Sequence, residues 1–218
     1  METIYRNVDS LDWITLVIFS SFFLFVLSKY LFKNMFFNFI ILPFNNKYIG
    51  LYNKKGKHIT WFHILITVFQ LINFSLFIYL SKEVLFAKNT HETPILFFIS
   101  LGILIFYLLI KIGVQMLHAF VFNANDLISS IIFNRISYFN YSSCIAFLAN
   151  IILTYILQDS IYVVCVAIFC ILLINSIGLV NALRNHQKLI SINLFYFILY
   201  LCALEIAPIV LIGSYLKD

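Results

Sequence analysis

Six separate apolar runs dominate this sequence, and each is long enough to cross the roughly 30 Å hydrocarbon core of a bilayer as a helix rising about 1.5 Å per residue. They are Leu11 to Phe32, Ile59 to Ser81, Pro94 to about His118, about Tyr138 to Leu157, Ile161 to Leu183, and Ile192 to Leu216. Charges, asparagine-rich stretches or the tight turn "LQDSI" (Leu157 to Ile161) separate them. Lipid offers no water to backbone amides, so each run must close its own hydrogen bonds as a helix. The chain of 218 residues is 63% hydrophobic and 11% charged, with a mean hydropathy of +1.00, against about 25% charged for a soluble domain. No soluble catalytic domain fits beside the spans. The expected fold is all-α: one integral membrane domain over residues 1–218, a bundle of six transmembrane helices.

The charges orient it. Lys29, Lys33, Lys47, Lys54, Lys55 and Lys57 follow the first span, Arg135 the third, and Arg184 and Lys188 the fifth. The other connections hold Lys82 and Lys88 balanced by Glu83 and Glu92, or only Asp159. By the positive-inside rule the three basic connections face the cytoplasm and both termini are periplasmic. Glu2, Asp9 and Asp12 precede the first span, and "FVLSKYLFKN" lacks small residues at cleavage spacing, so this span should stay as an anchor. The net charge of +5 is thereby assigned to topology and anionic lipid head groups, with no nucleic-acid role.

The connection 33–58 begins "NMFFNFIILPF" and continues "NKYIGLYNKKGKH". Its apolar part is too short to span and suits the membrane interface. Lys54, Lys55 and Lys57 are either a head-group or docking surface or simply enforce topology. The cysteines Cys144, Cys165, Cys170 and Cys202 fall within spans and lack zinc-ligand spacing, so no metal or cofactor is expected.

Polar side chains deep in a bundle are costly and must meet other helices, water or a ligand. Glu205, in "LYLCALEIAP", shares a helical face with Cys202 and Pro208. Pro208 donates no hydrogen bond to the Leu204 carbonyl, leaving an acceptor beside the carboxylate. Lys111, with Gln115 and His118 at i+4 and i+7, is the basic side chain whose depth brings it within reach of Glu205 if the two spans are adjacent. A second stripe holds His63, Thr67 and Gln70, with Asn73 near it; Asn150, Thr154 and Asn175 lie in later spans. These residues are either interhelical glue, each bond worth on the order of 1 kcal/mol, or the lining of a pathway. HExxH, GxSxG and P-loop patterns are absent, and Asn123, Asn125, Asp126 and Arg135 read as a polar connector rather than an active site.

"LYLCALEIAP" on a terminal helix, preceded by the basic "LRNHQKL", resembles a family of multi-spanning inner-membrane proteins from Bacteroidota, a domain of unknown function. The resemblance is strongest from Arg184 to Leu216. It implies residence in the cytoplasmic membrane of a two-membrane bacterium and brings no catalytic residues. Without a soluble domain or motif, the expected function is non-enzymatic: a subunit or assembly partner of an envelope complex in secretion, motility or lipoprotein handling, in contact with lipids and other envelope membrane proteins. The alternative is a small proton- or ion-coupled transporter using Glu205 and Lys111.

Overall fold

The computed structural model describes residues 12–45, 48–50, 60–86, 94–121, 125–158 and 160–185, and all regular structure among them is helical. In chain order the helices are α1 (Asp12–Leu31), α2 (Lys33–Ile40), α3 (Trp61–Phe86), α4 (Ile95–Val121), α5 (Asn125–Ile151) and α6 (Ile161–Asn185). A π-helical turn, Ile152–Ile156, extends α5. Five helices are long and apolar enough to cross a membrane, over Asp12–Leu31, Trp61–Leu85, Ile95–Val114, Ser130–Ile156 and Ile161–Ala182. The sixth expected span, Ile192 to Leu216, lies outside the described residues, as do Lys54, Lys55 and Lys57.

Hydroxyls within α1 are satisfied by bonding back along their own helix: Ser20, Ser21 and Ser28 donate to the carbonyls of Val17, Ile18 and Phe25 at 2.9, 2.9 and 2.7 Å. Such local bonds let serine sit in an apolar helix without an interhelical partner.

Contacts between helices fix their directions. Along α3 and α5, His63 meets Ser137, Thr67 meets Asn140 and Asn73 meets Asn150, so the partner's number rises in step and the two helices run parallel. Ser75 meets Ser100 just beyond the connection between α3 and α4, which run antiparallel. Along α5 and α6 the numbers rise oppositely: Tyr138 meets Asn181 while Ser142 meets Asn175. At the far end of α5, Tyr155 donates to Thr15 Oγ1 at 2.8 Å, near the start of α1. Direction therefore alternates along the chain from α3 to α6, as successive membrane crossings require. α3 is the central helix, packed by α1, α4, α5 and α6.

Two aromatic-rich cores lie at opposite ends. One joins Trp13, Leu76, Tyr79 and Phe97, with the Trp13 and Tyr79 rings edge-on at 5.1 Å. The other joins Phe36, Phe39, Leu42, Tyr48, Phe62, Ile66, Phe133 and Tyr138. The stretch expected at the interface thus delivers Phe36 and Phe39 into the protein, while Phe37 and Phe44 stay exposed. Phe32, Phe36 and Phe39 recur at i, i+4 and i+7, one face of a helix, and meet Phe62, Phe25 and Tyr48 respectively.

One expected connector is corrected. The helix expected to start at about Tyr138 begins at Asn125, so Arg135 is not in a loop. It sits within the span Ser130–Ile156, half-buried, with Nη1 donating to the Asn175 carbonyl at 3.5 Å. Buried serines and asparagines lower the hydropathy of this segment, and they are tolerated because they face α3 and α6 rather than lipid.

Candidate functional site

The polar stripe of α3 meets a second stripe on α5, and together they make a buried seam. At one end His63, 6% exposed, has Tyr48 Oη 3.4 Å from Nδ1 and Ser137 Oγ 3.4 Å from Nε2. Ser137 donates its own hydrogen to the Phe133 carbonyl at 2.7 Å. Its free lone pairs therefore accept from Nε2–H, which leaves Nδ1 to accept from Tyr48. The Phe133 ring lies against the imidazole with centroids 4.7 Å apart. This local network fixes both ring nitrogens.

One turn on, Thr67 donates to the His63 carbonyl at 2.8 Å and accepts from Asn140 Nδ2 at 3.2 Å. Further along, Asn150 Nδ2 donates to the Asn73 carbonyl at 3.0 Å, and Asn73 Nδ2 to the Phe69 carbonyl at 2.8 Å. Thr154, in the π-helical turn, donates to the Asn150 carbonyl at 2.8 Å. The π turn shifts the ladder by one residue, with Leu157 N–H bonded to the Ile152 carbonyl at 2.8 Å. Such turns recur at functional sites because they loosen a helix locally.

The donors of the seam are used more fully than its acceptors. The side-chain oxygens of Gln70, Asn73, Asn140 and Asn150 are buried with no hydrogen-bond partner. Each such atom costs about 1–3 kcal/mol. From Ser137 to Asn150 the seam rises roughly 20 Å along α5 at about 1.5 Å per residue, most of the thickness of a bilayer core. Phenylalanines flank it, including Phe74 stacked on Phe139 at 5.0 Å and Phe69 against Phe147 at 5.7 Å.

The expected stripe of His63, Thr67 and Gln70 is thus brought together with Asn73 and Asn150 at one interface. Asn175 instead donates to Ile171 O at 2.8 Å and Ser142 Oγ at 3.4 Å, at the interface of α5 and α6. Tyr48, Ser137 and Asn140 are members that sequence reasoning misses. A signal for two of them is present in "NRISYFN", where Ser137 and Asn140 stand three residues apart. Lys111 lies on α4, half-buried, with Nζ 5.7 Å from the Tyr107 ring centroid, within the range of a cation–π contact. Gln115 and His118 follow it on α4, but their side chains are outside the described set, as are Glu205, Cys202 and Pro208 altogether. Among the described residues, no three of His, Cys, Asp or Glu gather into a group able to hold a metal.

Fold and seam define a class: a helical protein with, among its described residues, five helices long and apolar enough to cross a membrane and a polar interior between two of them. Residues 14–216 match the family described as Domain of unknown function (DUF4271), and the chain belongs to that family. No curated protein and no solved structure matches the chain.

Proposed function

We propose that this protein is a non-enzymatic, multi-pass protein of the bacterial inner membrane that acts as a subunit or assembly partner of an envelope protein complex. Secretion, motility and lipoprotein handling are the processes in which such a partner is sought. The observation that carries this reading is the uneven burial of the helices. In α3, 61% of the span is buried, whereas in α4 only 6% is. Helix α4 holds to α3 through a short polar clasp, with Ser75 and Ser100 hydroxyls 2.6 Å apart and both near the Phe97 carbonyl. Beyond that clasp Phe98, Ile103, Phe106 and Ile110 are exposed. A peripheral helix of this kind is open to another membrane helix, which binds by packing and polar contacts because lipid supplies no hydrophobic drive.

A six-span topology is part of the proposal. Lys29, Lys33, Arg135 and Arg184 fall at the end of the bundle that holds α2, while Lys82 and Glu83 fall at the other. With direction alternating along the chain, a sixth span over Ile192 to Leu216 returns the C-terminus to the side of the N-terminus, and the basic end faces the cytoplasm.

The test is photo-cross-linking in native membranes, with the reactive residue placed at Phe98, Ile103 or Phe106 of α4 and, as comparison, at Leu172 of α6. A protein adduct of defined mass from α4 supports the reading. Lipid adducts alone at every position overturn it.

A second reading, a small proton- or ion-coupled transporter, is favoured by the partnerless amide oxygens of the seam. The charge pair expected for it, Glu205 and Lys111, has its own test. Glu205→Ala alone should reduce the amount of folded protein in the membrane, and apolar residues at both positions should restore much of it, because an uncompensated buried charge is worse than none. Failure of the double change to rescue would refute the pairing.

A further inference from the structure

We propose that the seam between α3 and α5 is a binding site for a file of buried water molecules, held by the side-chain oxygens of Gln70, Asn73, Asn140 and Asn150.

Four amide oxygens of the seam, all buried, lack donors, although native interiors leave few such groups unsatisfied. Turning an amide over would replace a stranded acceptor with a stranded donor, and it would break the bonds that Asn73, Asn140 and Asn150 donate through Nδ2. The oxygens therefore need donors from outside the chain. A water molecule brings two and typically makes about three bonds in a protein interior.

Spacing supports a file rather than isolated molecules. Thr67, Gln70 and Asn73 mark successive levels on α3, three residues and hence roughly 4.5 Å apart at about 1.5 Å per residue, with Asn140 meeting the first level and Asn150 the last. One water between levels reaches both at ordinary hydrogen-bond lengths. His63 and Ser137 close the row at one end, with a contact long at 3.4 Å, and beyond Asn150 the π-helical turn widens α5.

The chemistry selects water over a cation. The seam's lining from the described residues consists of amides, hydroxyls and one imidazole, without a carboxylate. A bare ion in a carboxylate-free site needs several oxygens converging on one point to replace its hydration shell, whereas these oxygens are spread along the two helices. Water needs no such convergence. The proposal stands whether or not a solute passes through the protein, so it is separable from both functional readings.

The unaltered protein tests it. In lipid bilayers, with asparagine, glutamine, leucine and phenylalanine side chains isotopically labelled, water-edited solid-state NMR reads transfer of magnetisation from water to each labelled side chain. Amides of Asn73, Asn140 and Asn150 are expected to build up signal several-fold faster than the side chains of Leu76 and Phe74, which are buried in α3 beside the seam. Asn140→Leu, which retains side-chain bulk, assigns its own resonance and should slow build-up at Gln70 and Asn73. Build-up no faster than at Leu76 means a dry seam and overturns the proposal. Resonances that move when sodium chloride replaces choline chloride indicate a bound cation and overturn it equally.

Discussion

Phe39→Ala should lower the stability of this protein more than removal of any exposed phenylalanine, with Phe44→Ala as its control. Phe39 is 0% exposed and packs its ring 5.9 Å from Tyr48, 5.8 Å from Phe62 and 5.7 Å from Tyr141. Those rings come from the segment after α2, from α3 and from α5, so Phe39 ties three elements together. Removing a buried phenylalanine costs about 3–5 kcal/mol. The lower end of that range applies here, since lipid contributes no hydrophobic term and the loss is mainly of packing. Phe44 lies five residues on in the same apolar stretch but is 90% exposed. Thermal unfolding in detergent, read by tryptophan fluorescence or fluorescence-detected gel filtration, separates the cases: Phe39→Ala should lower Tm by several degrees and Phe44→Ala should leave it near wild type. Equal shifts would show that α2 lies on the lipid surface instead of inserting into the core.

The contrast between these phenylalanines shows how far the sequence is legible. Run lengths place four spans well: Leu11 to Phe32 against Asp12–Leu31, Ile59 to Ser81 against Trp61–Phe86, Pro94 to His118 against Ile95–Val121, and Ile161 to Leu183 against Ile161–Asn185. Apolar length is a local property, and a window detects it. The fourth span is placed too late because Asn134, Arg135, Ser137 and Asn140 dilute the hydropathy at its start. The bilayer accepts them because the side chains turn to α3 and α6, and that neighbourhood has no signature in a sequence window.

The candidate site divides in the same way. Helical spacing groups His63, Thr67 and Gln70 on one face, because spacing reports faces. It cannot supply Ser137 or Asn140, which meet that face from 74 and 73 residues away. Nor can it reveal which polar atoms go without partners, since that depends on the orientation of amides at a packed interface. Tyr48 is hidden for another reason: it belongs to the basic connection that reads as a lipid-facing surface, yet its hydroxyl reaches His63.

Gly178→Ala should be the most damaging of the glycine-to-alanine changes in the described membrane helices, and its direction is opposite to the usual one. In a helix interior alanine normally stabilises relative to glycine by roughly 0.5–1 kcal/mol. At Gly178 a Cβ would lie 2.6 Å from Cγ and 2.7 Å from Cβ of Tyr138. These are the root of the side chain, not its flexible end, and no rotation about the ring bond relieves the clash. Tyr138 is itself fixed, donating to the Leu42 carbonyl at 3.4 Å and accepting from Asn181 Nδ2 at 2.7 Å. Helices α5 and α6 must therefore separate, at a cost of about 1–3 kcal/mol for overpacking plus about 1 kcal/mol for each hydrogen bond to Tyr138 that is lost. Small residues at close helix crossings serve this purpose in membranes generally. Gly102 and Gly113 on α4 have nothing within 4 Å of the position an added methyl would take, so they are internal controls. Alanine at either should leave Tm unchanged or raise it slightly, whereas Gly178→Ala should lower it, and Gly178→Leu more so. The double variant Gly178→Ala with Tyr138→Gly distinguishes a steric cause from a backbone one: relative to Tyr138→Gly alone, alanine at 178 should no longer be destabilising, because the Cβ and ring atoms it strikes are gone. If it still destabilises by the full amount, the close approach of α5 and α6 is not what requires glycine there.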